Sequence, residues 1–113
     1  MTDEEIKEKL LEAKTANGGG EILVVETEHE GAEVAAFKLP EPKDWAAYIA
    51  ARADSNPSVS TGAAKPLLWA CCVYPAKAAY EQMIAKRPGL VQTYIGELQE
   101  FAGANSAKKV RKL

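Results

Sequence analysis

The stretch Ile22-Leu23-Val24-Val25-Glu26-Thr27-Glu28-His29-Glu30-Gly31-Ala32-Glu33-Val34-Ala35-Ala36-Phe37-Lys38-Leu39 decides the fold. Its first four residues are apolar and mostly β-branched. Residues 34–39 form a second apolar run, and the polar Glu28, His29, Glu30 and Gly31 lie between the two. Apolar runs flanking a polar, glycine-bearing turn predict a β-hairpin. In an extended chain Ile22 and Val24 point one way and Leu23 and Val25 the other, so the first strand is apolar on both faces. A lone two-stranded ribbon cannot cover both. Either a helix packs on each side, or one side and an open edge are covered by another copy of the chain or by a partner protein. Ile22, Leu23, Val24 and Val25 are therefore the candidate partner or oligomer surface.

Upstream of the hairpin, Thr2 and Glu5 have the spacing of a capping box, and Ile6, Leu10 and Ala13 follow at helical intervals. This predicts an amphipathic helix over about residues 3–15. Asn17, Gly18, Gly19 and Gly20 stop it and read as a flexible joint. Downstream, Pro40 and Pro42 end the second strand, and Trp45, Tyr48, Ile49 and Ala53 mark the inward face of a helix over about residues 43–54. Residues 55–62, rich in Ser, Asn, Pro and Gly, read as a loop. Pro66 sits near the start of a helix through Val73 whose Leu67, Leu68, Trp69, Cys71, Cys72 and Val73 are apolar nearly all round, as expected of a central buried helix. Pro75 opens a fourth helix with Ala79, Tyr80, Met83 and Ile84 inward, broken by Pro88-Gly89. A last helix carries Leu90, Val91, Tyr94, Ile95, Leu98, Phe101 and Ala102 at 3, 4 spacing and closes at Gly103.

The expected class is α+β and mostly helical: an N-terminal helix, one β-hairpin, then about four helices. The organisation reads as an amphipathic helix (1–17), a glycine linker (18–20), a single α+β domain (21–103) and a basic flexible tail (104–113). With 113 residues, 47% of them hydrophobic and 27% charged, the chain is long enough to bury a core without metals or disulfide staples. No run approaches the ~18 consecutive apolar residues that a membrane span needs, and the acidic start is the opposite of a signal-peptide n-region, so a cytoplasmic protein is expected.

Charge is unevenly placed. Residues 1–54 carry 13 acidic and 6 basic side chains, and residues 55–113 carry 3 acidic and 8 basic. Half of the latter basic charge lies at Lys108, Lys109, Arg111 and Lys112. Four charges on an acidic chain give only a weak, salt-sensitive attraction to phosphates, so nucleic acid is not an expected partner.

The residue types of catalysis are sparse. His29 is the single histidine and stands among Glu26, Glu28 and Glu30 in the predicted turn, which reads as a solvated hairpin tip rather than a walled pocket. That turn lacks the ligand spacing of a calcium loop. Cys71 and Cys72 are adjacent, a spacing that neither forms a relaxed disulfide nor matches C-x-x-C, and they read as buried thiols. The triple glycine precedes a strand, with no Lys-Ser or Lys-Thr after it, so it is no phosphate loop. Trp45 with Tyr48 and Trp69 with Tyr80 could line a pocket, but their helical spacing suits core positions better. No catalytic, metal or cofactor-binding residue is assigned, and neither enzymatic activity nor a cofactor is expected.

The order of elements, together with Phe37-Lys38-Leu39-Pro40, Leu67-Leu68-Trp69-Ala70-Cys71-Cys72-Val73-Tyr74-Pro75, Lys86-Arg87-Pro88-Gly89-Leu90 and the closing Gly103, resembles the tail assembly chaperones of long-tailed bacteriophages over roughly residues 21–103. The acidic first helix with its glycine linker departs from that pattern. The resemblance implies a non-enzymatic protein of the host cytoplasm, absent from the mature virion. It would bind the long, largely helical tape measure protein and keep it soluble until tail tube subunits polymerise around it, with self-association and contact with the tail tube protein as further expectations. The alternative is a small cytoplasmic adaptor or regulatory protein-binding module of phage or prophage origin.

Overall fold

The computed structural model describes residues 3–29 and 31–103. Thr2 of the expected capping box, Glu30 and the basic tail at 104–113 lie outside the described residues, as do the side chains of Asp3, Glu28, His29 and residues 31–33. The chain order is α1 (Asp3–Ala16), β1 (Ile22–His29), β2 (Gly31–Lys38), α2 (Pro42–Arg52), α3 (Pro57–Thr61), α4 (Ala64–Cys71), β3 (Cys72–Tyr74), α5 (Lys77–Lys86) and α6 (Leu90–Phe101). The class is α+β with an N-terminal helix and a hairpin, as the sequence predicts.

Three boundaries differ from the sequence expectation. The strands run through the polar residues to the pair His29↔Gly31, because continued cross-strand pairing satisfies backbone groups that a wide turn would leave to water. The loop at 55–62 contains the short α3, which Asn56 caps by accepting from the backbone N–H of Ser58 at 3.1 Å while Pro57 opens the first turn. The helix expected to reach Val73 ends at Cys71. Pro75 forces the residue before it away from helical geometry, so Cys72–Tyr74 runs extended and pairs antiparallel with β2, Cys72 opposite Phe37 and Tyr74 opposite Ala36. The hairpin is therefore two strands of a three-stranded sheet in the order β1-β2-β3.

The helix stop expected at the glycines is present. Gly18 and Gly19 have φ of +73° and +75°. The Gly19 N–H donates to the Lys14 carbonyl and the Gly18 N–H to that of Thr15, each at 3.0 Å, the paired bonds of a Schellman stop. The joint is thus built as a specific helix terminus.

One face of the sheet presents Leu23, Val25, Ala35 and Phe37 to a core shared with Leu68, Cys71, Tyr80, Tyr94 and Leu98. Phe37 is fully buried between the rings of Tyr94, centroid at 5.2 Å, and Tyr80, edge-on at 6.1 Å. On the opposite face Val34 and Ala36 are also buried. Helix α1 packs against β3, and its end shares a depression with Lys38, Cys72 and Val73. Its half-buried Ile6, Leu10, Ala13 and Asn17 fall on one side, as their spacing requires.

No core-cluster residue belongs to α1. A chain beginning at Glu21 is therefore expected to remain folded by circular dichroism, less stable by about 2 kcal/mol for two half-buried aliphatic side chains. Unfolding of that chain would place α1 within the core.

Candidate functional site

Two apolar surfaces stay open, and they differ in kind. The first is the outer edge of β1. Among the described residues the strand pairs with β2 on one side only, and no strand lies beside its other row of backbone N–H and C=O groups. Of the four residues predicted to form the partner surface, Val25 is buried in the core and Leu23 packs against that core. Ile22 is half-buried, and Val24 is 41% exposed on the opposite face. The double apolar character read from the sequence thus resolves into an inward pair, Leu23 and Val25, and an outward pair, Ile22 and Val24.

The second surface was not legible as such. The sequence places Trp69 in the core, but its side is 38% exposed. Helix α4 has only eight residues and is apolar nearly all round; Leu67, Leu68 and Cys71 occupy its inward positions, which leaves Trp69 facing outward. There it lines a groove of about 540 Å³ with Pro66 of α4, Tyr80, Ile84 and Ala85 of α5, and Val91 of α6. Lys77 holds the indole from one side: its ammonium lies 4.6 Å from the ring centroid and donates to the Trp69 carbonyl at 2.6 Å. Tyr80, itself buried, flanks the indole at 6.5 Å.

At Lys65, Pro88 and Val91 this groove meets a second depression of about 330 Å³ that reaches Tyr48 and Arg52. The Arg52 guanidinium lies over the Tyr48 ring at 5.4 Å, and the Tyr48 hydroxyl accepts from Gln99 Nε2 at 2.6 Å, which ties α2 to α6. The Trp45 and Tyr48 rings lie 5.5 Å apart and tilted by 52°, with Tyr48 in the core as expected.

Cys71 and Cys72 are both buried and free. Burial is the main cause that pushes each thiol from its ordinary 9.0 up to about 11, with the nearby Asp44 carboxylate adding to the effect at Cys71. The unfolded chain releases these protons at lower pH than the folded one. The associated stability is therefore intact below about pH 9 and is lost as the pH climbs through about 11. Labelling of native protein by a thiol reagent near pH 8 is expected to be slow and to accelerate on addition of denaturant; equally rapid labelling in both conditions would contradict the burial.

Among the described residues no three His, Cys, Asp or Glu side chains converge as a metal site, and no helix is long and apolar enough to cross a membrane. Of the acidic segment around His29, Glu26 is exposed, while the side chains of Glu28, His29 and Glu30 lie outside the described ones.

No family model matches the chain, and no curated protein does. A solved structure that it resembles is that of an uncharacterised protein, rbstp2171, from Bacillus stearothermophilus, with a TM-score of 0.70 and 24% sequence identity over 90% of this chain and 99% of that one. At this identity the likeness is one of fold.

Proposed function

We propose that this protein is a non-enzymatic tail assembly chaperone of phage or prophage origin, which binds the tape measure protein in the host cytoplasm, keeps it soluble during assembly and is left out of the finished particle. The motif order between Phe37 and Gly103 motivates the reading. The observation that carries it is the groove beside Trp69, since a protein that shields a long helical client needs apolar surface held open in the folded state. The outer edge of β1, beside which no strand lies among the described residues, supports the accompanying expectation of self-association, because a second copy could add a strand there.

The test is co-expression with the very long protein encoded beside the tail tube gene in the same genome. Retention of that protein in the soluble fraction, in a complex with this chain, is the expected result. If it stays insoluble while this chain co-purifies with a folded partner, the adaptor reading takes its place.

A further inference from the structure

The two open surfaces demand different partners, because one exposes backbone and the other does not. Among the described residues the edge of β1 has no second strand beside it, and the backbone groups along such an edge are matched by another extended segment. The walls of the Trp69 groove are helices, whose backbone groups bond within their own turns, so an extended peptide laid there would bury its own N–H and C=O groups against side chains. A helix satisfies its backbone internally and brings only side chains. Helices α4 and α5, with eight and ten residues, give walls of about 12 and 15 Å, enough for two to three turns.

Charge narrows the partner further. Lys65 stands where the two depressions meet and Arg52 beyond it, whereas Lys77, bonded to the Trp69 carbonyl, lies outside the lining of both. Against these two lining cations, Lys65 and Arg52, the lining supplies one carboxylate, Glu81.

We infer that the Trp69 groove is the seat of an amphipathic helix whose apolar ridge is flanked by acidic side chains, and that the β1 edge is not part of this contact. The inference rests on the chaperone reading only in taking that helix to be a segment of the tape measure protein. Trp69 is the anchor, with Ile84 and Val91 beneath the ridge, while Lys65 and Arg52 face the acidic flank.

The test uses the full chain and two dye-labelled helical peptides of about four turns. Both carry the same leucine ridge at i, i+3, i+4 and i+7, one with glutamates on its flanks and one with lysines. Fluorescence anisotropy should show the acidic peptide binding at least about tenfold more tightly at low salt, and the advantage shrinking as salt rises. Trp69→Ala should weaken it by about tenfold or more. The paired changes Lys65→Glu and Arg52→Glu should shift preference toward the lysine peptide. Ala85→Glu, an exposed position on the groove wall, should block the acidic peptide without touching the core, which keeps the test sound if Trp69→Ala disturbs folding. Val24→Lys should leave peptide binding unchanged.

Equal binding of both peptides, undiminished binding by folded Ala85→Glu, or loss on Val24→Lys would overturn the inference. The tape measure protein separates the two readings. Its retention by Ala85→Glu as by the native chain would sink the groove assignment and leave the chaperone reading standing. Binding of the acidic peptide by a chain that never retains the tape measure protein would do the reverse.

Discussion

Replacing Phe37 by alanine is expected to cost about 3–5 kcal/mol, a large part of the 5–15 kcal/mol that holds a domain of this size folded. The ring has no solvent contact and lies between Tyr80 and Tyr94, on the strand that β1 and β3 both pair with. Its loss removes two aromatic contacts and opens a cavity where the sheet meets α4, α5 and α6. Neither neighbouring ring can swing in without vacating its own place in the core. Urea denaturation of Phe37→Ala beside the native chain should show the midpoint fall with little change in slope. Phe37→Leu, which keeps most of the volume, should fall less. A loss under about 1 kcal/mol for Phe37→Ala would mean that the aromatic trio is loosely packed.

The second large effect divides the four apolar residues of β1. Val25→Lys places an ammonium in the core with no carboxylate in the core cluster to meet it, and should leave the chain unfolded or molten; Leu23→Lys should act in the same direction, less severely, from its half-buried site. Val24→Lys, on the opposite face at 41% exposure, should fold normally, and Ile22→Lys should lie between. If β1 joins copies of the chain, Val24→Lys should also lower the sedimentation coefficient at a concentration where the native chain self-associates, since a strand centred on Val24 would bring two lysines together across the edge. Circular dichroism separates folding from association. Should Val24→Lys and Val25→Lys both unfold the chain, β1 is core on both faces and the edge has no role outside the fold.

The hairpin was legible because its signal is local: a β-branched run, a polar break and a second apolar run need nothing else to be recognised. The same holds for α6, where Leu90, Tyr94 and Leu98 recur on one side and are all buried. Strand β3 was not legible. Cys72, Val73 and Tyr74 are too few to show alternation, and they follow an apolar helix without a break, so only their pairing with residues some thirty-five positions earlier makes them a strand. The inward and outward pairs of β1 were legible as a pattern but not as an assignment, since the face that meets α6 depends on tertiary packing. The groove was hidden for a related reason. It is assembled from three helices, and its key residue, Trp69, has the composition of a core position and becomes exposed only because three neighbours on a short helix take the inward places. Pro66 and Pro88, read from the sequence as helix punctuation, also line it.

The order β1-β2-β3 gives the sheet two margins of unequal capacity: eight residues at β1, and three at β3 with α1 packed against that strand. Joining two copies β1 to β1 would be a two-fold operation that uses the long margin of each and leaves short margins outermost. Growth along the hydrogen-bonding direction would then stop at a pair, which would keep the outer edge of β1 from running on into fibrils.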